Sequence, residues 1–358
     1  ISMIKIKSDS VILSLANNKK YKLPFLWLRD NCQCDSCRIT ETQEKQFLLH
    51  TVPIDLSPKI VKEIEGNIFI IWSDGHETKI LVKMIEQSSD SRYPSKSEWP
   101  LNFKPETYDW QRFLDKNETA ISALKTFVKY GAIILENAPS KPNSLELLSK
   151  RLGPIHEVLF ERIHNVSVTG NVYNVAHTSK GLPPHNDFAS YKSQPSIQAL
   201  HMLVNECKGG ESIIVDSWKI LKDLKNDKPK YFTILKEFNV PFREFDESNE
   251  TYAEAPLIQC SFDGSIESFR FSNQLMQMID PTKKGIAEFY EAYHYLSAKI
   301  HDRDYWSSFR LNSGEALVVA SHRVLHAREP FIPNGKRHLQ DAYFVYDNAA
   351  NNIISLSN

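Results

Sequence analysis

Two stretches decide how this chain reads: Pro183-Pro184-His185-Asn186-Asp187-Phe188 and, much later, Ser321-His322-Arg323-Val324-Leu325-His326-Ala327-Arg328. Residues two apart in an extended strand point to the same side, so His185 and Asp187 can address one ion. The Pro183-Pro184 pair keeps the approach extended, since proline lacks a donor and disfavours helix at the residue before it. A distant second histidine would complete the two-histidine, one-carboxylate set that grips Fe(II) on one face and leaves the other open. His322 and His326 compete for that place. His326 is preferred because arginines follow it, as an anionic co-substrate at the iron needs. A lone His-x-Asp is usually a surface pair; the second histidine and the distant arginine, in that order, set this one apart.

Arg337 opens the alternation Arg337, Leu339, Asp341, Tyr343, which is one face of a strand. A buried guanidinium there is a rigid two-pronged donor suited to a carboxylate. A structural ion pair is the bland alternative.

Around these stretches lie short apolar or alternating segments that read as strands: Ile197–Val204, Ser212–Val215, Glu315–Val319 and Leu339–Tyr346. A helix is expected at Pro281–Lys299. Upstream, an amphipathic helix around Glu118–Tyr130 precedes the strand Ala132–Leu135, and a second helix at Ser144–Leu152 is stopped by Gly153-Pro154. The first ninety residues read as the strands Ser10–Leu15, Phe47–Leu49 and Asn67–Trp72, with a turn at Ser73-Asp74-Gly75. Gln87–Pro105, rich in Ser, Pro and charge, reads as a linker. The fold class expected is mainly β with flanking helices, a barrel or double-stranded β-helix (jelly roll) behind a small first domain. The domains are then 1–90, a linker at 91–105, and 106–358. No internal repeat, heptad run or low-complexity segment is visible.

Lys and Arg number 43 against 44 Asp and Glu, so no basic stripe argues for nucleic acid. No apolar run approaches a membrane span. Ile1-Ser2 reads as cloning residue ahead of Met3, with neither a cationic start nor an apolar signal core. A cytoplasmic protein is expected. Five cysteines are too few and too uneven for a disulfide framework. Cys32, Cys34 and Cys37 crowd together, which reads as metal binding. Three thiolates and one imidazole make a closed, structural zinc set, with His76 or His50 as the fourth ligand. A redox-active thiol cluster is the rival. In a strand-poor first domain, zinc would take the place of core.

With these residues in view, the chain resembles the gamma-butyrobetaine/trimethyllysine hydroxylase family of Fe(II)/2-oxoglutarate-dependent dioxygenases, over nearly its whole length. The resemblance is carried by Trp27-Leu28-Arg29-Asp30-Asn31-Cys32, Asp74-Gly75-His76, Gly209-Gly210-Glu211-Ser212, Phe271-Ser272-Asn273, Leu325-His326-Ala327-Arg328 and Arg337-His338-Leu339. It implies that His185, Asp187 and His326 hold Fe(II) and that Arg337 clamps the distal carboxylate of 2-oxoglutarate. Ser212 and Arg328 would lie beside that co-substrate. It selects His76 over His50 as the fourth zinc ligand, and it suggests a homodimer. Dioxygen and 2-oxoglutarate would be consumed, with succinate and carbon dioxide released as a small substrate is hydroxylated.

In this family, trimethylammonium substrates sit in an aromatic cage whose ring faces attract the cation. Counted back from His185, the cage positions hold Phe160, His164 and His177; Phe188 stands where a tyrosine is common. Tyr343 matches the cage, Asn174 matches an asparagine at the substrate's acid end, and Asn273 belongs to the same substrate side. Two histidines and a phenylalanine make a poorer cage than tyrosine and tryptophan. The same chemistry on an amino acid or phosphonate is therefore an alternative to a betaine, and a non-catalytic zinc-stabilised binding protein is a further one.

Overall fold

The computed structural model describes residues 3–167, 176 and 178–357. Two compact units divide the chain, Ile1–Arg92 and Tyr93–Asn358.

The first unit contains two three-stranded antiparallel sheets, Met3–Ile6, Ser10–Ser14 and Lys20–Pro24 in one, Pro58–Ile64, Asn67–Trp72 and Glu77–Leu81 in the other. Period-two alternation buries Ile68, Ile70 and Trp72, with Ile80 beside them, against Val11, Leu13 and Leu28. The Trp72 indole N–H donates to Thr78 Oγ1 at 2.9 Å, so the largest core ring keeps its donor satisfied. The expectation of a strand-poor unit without its own core is thus corrected. Phe47–Leu49, expected as a strand, runs instead into a 3-10 turn at Leu49–Thr51. Its Phe47 ring is drawn under the Arg29 guanidinium, 3.8 Å from ring centroid to Cζ.

The second unit is a jelly roll of two sheets. The larger has six strands in the order Glu106–Asp109, Ala132–Glu136, Glu315–Ala320, Ile197–Asn205, Arg337–Phe344 and His164–Ser167. The smaller has four, Leu182–His185, Val324–Arg328, Ser212–Asp216 and Trp306–Phe309. Pairing is antiparallel throughout, except where Glu106–Asp109 runs parallel to Ala132–Glu136.

Alternation sorts each strand between two cores. On the larger sheet Ile133, Leu135, Ala199, Ala316, Val318, Ala342 and Phe344 face the helices Asn117–Tyr130 and Tyr346–Ser357. Their neighbours Ile134, Met202, Leu317, Val319 and Leu339 face inward, where they meet Ile214 and Val324 of the smaller sheet. The outer face of that smaller sheet, Ile213, Val215, Leu325 and Ala327, lies under the helices Ser217–Asp227, Pro229–Glu237 and Ile286–Ile300. Hydrophobic burial therefore closes three layers and leaves the mouth between the sheets for side chains that are polar.

Several expected elements shift for local reasons. The helix expected from Pro281 begins at Ile286, because Gly285 takes φ +85°. The strand expected to reach Tyr346 ends at Phe344, and Tyr346–Ser357 turns into a helix that buries Ala349, Ala350 and Ile353. Ser144–Leu152 forms a 3-10 turn followed by a short α-turn. Much of the stretch expected as a linker belongs to the second unit, from Tyr93 on: the Tyr93 hydroxyl donates to Asn351 Oδ1 at 2.6 Å, and the Trp99 indole stacks on Phe103 and donates to the Tyr130 carbonyl at 2.6 Å.

Candidate active site and metal centres

Between the two sheets lies a cavity of about 460 Å³. On its wall, Leu182–His185 pairs with Val324–Arg328, and His185 and His326 are register partners. Their rings stand 4.3 Å apart, centroid to centroid. Asp187 follows just beyond the strand, its Oδ1 3.2 Å from His185 Nε2 and its Oδ2 3.8 Å from His326 Nε2. One donor atom from each of the three fits within a 4.8 Å span.

The residue between them is the anchor. Asn186 donates to the carbonyls of Phe269 and Ser321, accepts from the Phe271 N–H, and is 1 % exposed. Phe188, next in line, holds φ +52°, an uncommon conformation for a bulky residue, of a kind that clusters at functional sites.

Neighbours fix the orientation of each donor. His185 Nδ1 lies 2.8 Å from the Pro183 carbonyl, which assigns the proton to Nδ1 and turns the Nε2 lone pair toward Asp187. Asp187 Oδ2 accepts from the Tyr343 hydroxyl at 2.6 Å and from Gln198 Nε2 at 2.7 Å. The same two groups lie within hydrogen-bond distance of Asp341 Oδ2, so Tyr343 and Gln198 bridge the half-buried Asp187 carboxylate and the buried one of Asp341. Burial pushes both acids up. At Asp187 the two histidines and the hydrogen bonds outweigh it and hold the acid well below the usual range; at Asp341 burial prevails and the pKa is raised. Burial and the neighbouring His185 bring His326 down to about 4, which leaves a neutral imidazole with a free lone pair.

Toward the far end of the cavity the donors change sign. Arg337 is 9 % exposed and donates no hydrogen bond among the described residues; its Nε is buried without an acceptor. A buried guanidinium in that state fits an anion, and a carboxylate is the planar partner it matches best. Gly210 keeps the approach open: at φ +74° its absent Cβ would lie 3.2 Å from Phe331 and 3.5 Å from Arg337 Nε. Ser212 lines the same end. Arg328 does too, but its terminal nitrogens are engaged, donating to the carbonyls of Ala176, Thr178 and Lys180. It holds the backbone at Ala176, Thr178 and Lys180.

Of the residues expected around the substrate, Phe160, His164, Phe188 and Tyr343 line the cavity. The Phe188 ring meets Tyr343 edge-on at 5.0 Å and stacks on Phe160 at 6.1 Å. His164 Nδ1 stands 3.5 Å from Asp341 Oδ1. Asn174 and His177 lie outside the described residues. Asn273 differs from expectation: it is exposed, accepts from the Tyr293 hydroxyl at 3.1 Å, and its neighbours Ser272 and Gln274 line the cavity in its stead. His322, the rival third ligand, packs edge-on to Tyr346 with its Nδ1 3.3 Å from the Ser196 carbonyl.

Among the lining residues that escaped the sequence reading as site groups are Gln198, Asp341 and Glu244. Asp341 was legible as sharing a face with Arg337 and Tyr343. Gln198, a polar residue in a mainly apolar strand, was a signal too. Glu244 gave none, because only the folding of the hairpin Val240–Phe245 and Glu250–Ala255 brings it to the cavity. Burial and Asp187 push its carboxyl up to about 7, with His185 pulling the other way.

In the first unit, Cys32, Cys34, Cys37 and His76 bring their donor atoms within 4.8 Å of one another. Their sulfurs lie 3.3, 3.7 and 3.6 Å from His76 Nε2. A tight turn delivers the thiols, with the Cys37 and Arg38 amides both donating to the Cys34 carbonyl. The Ser73-Asp74-Gly75 turn delivers the histidine, Asp74 Oδ1 accepting from the His76 N–H at 2.9 Å. His50 is exposed and stands apart. A Cys₃His donor set is the chemistry of a closed structural zinc site. Such a set would carry one net negative charge with Zn(II), and buried Arg29 offsets it, its Nη1 3.3 Å from Cys37 Sγ.

A jelly roll bearing an open two-histidine, one-carboxylate set defines a class, the mononuclear non-haem iron oxygenases. Residues 93–343 match the Taurine catabolism dioxygenase TauD, TfdA family, and the chain belongs to it; it is a dioxygenase. Residues 3–81 match the gamma-butyrobetaine hydroxylase-like N-terminal family. Among curated relatives, the gamma-butyrobetaine dioxygenase of Pseudomonas sp. (strain AK-1) is 29% identical over 360 residues, covering 98% of this chain and 94% of that protein. The human gamma-butyrobetaine dioxygenase is 24% identical over 341 residues, covering 90% of this chain and 88% of that one. Among solved structures, the non-heme iron oxygenase OrfP in complex with Fe and alpha-ketoglutaric acid superposes with a TM-score of 0.51. It covers 64% of this chain and 80% of that one at 17% identity, a likeness of fold. No helix among the described residues is long and apolar enough to cross a membrane.

Proposed function

We propose that this chain is an Fe(II)- and 2-oxoglutarate-dependent hydroxylase of a small polar metabolite, with a structural Zn(II) in its first unit. The observation that carries the reading is the pairing of two things in one cavity: an open set of three metal donors, and Arg337 with no hydrogen-bond acceptor among the described residues. The relatives named gamma-butyrobetaine dioxygenase support hydroxylation of a charged acid of modest size.

His185, His326 and Asp187 would hold the iron, and Arg337 with Ser212 would hold the far carboxylate of 2-oxoglutarate. Bound together, iron and 2-oxoglutarate supply, with dioxygen, the oxidising power to hydroxylate an unactivated carbon, leaving succinate and carbon dioxide. This chain's own residues do the positioning. The Pro183 carbonyl holds the proton on His185 Nδ1. Tyr343 and Gln198 donate to Asp187 and keep it a carboxylate turned toward the histidines. Val166, Leu200, Leu317 and Leu339 make the walls apolar and exclude water from that end.

An anaerobic titration tests the reading: adding 2-oxoglutarate to the Fe(II)-loaded protein should raise a weak visible charge-transfer band. Succinate should then be released in air only when a substrate is present. Absence of both would leave a zinc-stabilised binding protein. The finer expectations belong here too: a cytoplasmic enzyme, consistent with metal-bound rather than oxidised thiols, and a homodimer, as the family resemblance suggests. Light scattering on the purified protein checks the latter.

A further inference from the structure

We propose that the substrate's positive nitrogen carries N–H bonds, as an ammonium or guanidinium does, and that Glu244 is the residue that accepts from it. The inference rests on the reading above and narrows it.

Glu244 lines the cavity from the hairpin Val240–Phe245, and its Oε2 is buried with no hydrogen-bond partner among the described residues. A buried oxygen without a donor is costly, and since no described residue supplies one, a donor carried by the substrate would stabilise it. Three cationic side chains line the cavity, and none is free for it. Arg243, next in sequence, makes a two-pronged pair with Glu250 at 2.9 and 2.8 Å. Arg328 is engaged by the carbonyls of Ala176, Thr178 and Lys180. Arg337 belongs to the co-substrate end.

A second carboxylate tilts the balance the same way. Asp341 is 5 % exposed on the strand Arg337–Phe344, and its Oδ1 also lacks a hydrogen bond among the described residues, with His164 Nδ1 3.5 Å from it. The substrate region thus holds two such acids. A quaternary ammonium has no N–H to give to either acid, and binds instead to ring faces. Here Phe160, Phe188, His164 and Tyr343 pack edge and face against each other. An ammonium or guanidinium would satisfy Glu244 with a charge-assisted hydrogen bond, the stronger kind in a dry site.

Three acids with one carbon chain and different heads make the test: 4-aminobutyrate, 4-guanidinobutyrate and 4-trimethylammoniobutyrate. Each is titrated calorimetrically into the anaerobic holoenzyme loaded with Fe(II) and 2-oxoglutarate. The two N–H-bearing probes should bind about ten-fold or more tighter than the quaternary one. Glu244→Gln should weaken those two by about ten-fold and the quaternary probe by less than about three-fold. Equal or tighter binding of the quaternary probe, equal loss for all three in Glu244→Gln, or no binding of any probe overturns the proposal. The charge-transfer band separates the two levels. Its presence with no head-group preference sinks this inference alone, whereas its absence from the wild type sinks the reading beneath it.

Discussion

Cys32, Cys34 and Cys37 come from six consecutive residues and are closed by His76 across one turn, whereas His185, Asp187 and His326 are gathered from two distant segments. The first cluster presents four donors around one point, all within its own unit, with Arg29 beside it to balance charge. The second presents three, and its remaining side opens on a cavity lined by Arg337, Asp341 and Glu244. Count and closure separate a site that holds a fold together from one that does chemistry. The support differs too. Turns and backbone hydrogen bonds frame the thiols, while of the iron-type donors Asp187 is held by side chains of the opposite sheet, Gln198 and Tyr343, and His185 by the Pro183 carbonyl.

If this contrast is right, the two sites fail in different ways. The largest effect falls on the open site: Asp187→Ala or His326→Ala should abolish succinate release while the melting temperature stays within a few degrees of wild type. Retained turnover in either would break the assignment of the open set. Next, Cys37→Ser should strip zinc, measured by elemental analysis, and unfold the first unit, since structural zinc contributes about 10 kcal/mol or more. A Cys37→Ser protein with full zinc would undo the idea of a closed four-donor site. Arg337→Ala should raise the half-saturation concentration of 2-oxoglutarate about 100-fold, the scale of a lost charge-assisted pair, and leave that of the substrate within a few-fold.

The smallest effect concerns acid. His201 is 0 % exposed in the strand Ile197–Asn205, stacked on Trp110, with neither ring nitrogen hydrogen-bonded among the described residues. Burial brings it down to about 4 from its ordinary 6.5. Because the unfolded chain takes up the proton first, stability is full above that ordinary value and falls as pH drops toward 4. Between about pH 7 and pH 5 the second unit should lose about 2 kcal/mol to this residue. His201→Leu should flatten that acid limb in urea melts; an unchanged limb would remove His201 from the account.

Legibility followed the same divide between local and distant. Cys32-x-Cys34-x-x-Cys37 could be read as metal ligands because tight spacing leaves a thiol cluster few other uses. The strands Ile197–Asn205 and Glu315–Ala320 were visible because period-two patterning records which face is buried. The helix Tyr346–Ser357 was missed because its buried side is only Ala349, Ala350 and Ile353 among polar residues. The first unit's core was underestimated because the short alternating segments Pro58–Ile64 and Glu77–Leu81 look like loop until they pair.

By itself the sequence determined which residues were candidates for the open donor set, for an anion-binding arginine and for the thiol cluster. Those groups are scarce residue types whose order along the chain already constrains what they can bind. Only the tertiary structure decided what surrounds them. It engaged Arg328, left Arg337 Nε without a hydrogen bond among the described residues, turned Asn273 out of the cavity, and left one oxygen each of Glu244 and Asp341 without a hydrogen-bond donor among those residues. The reason is physical: whether a buried charge is satisfied depends on which atoms other strands and hairpins bring within hydrogen-bond distance, and no local pattern encodes that.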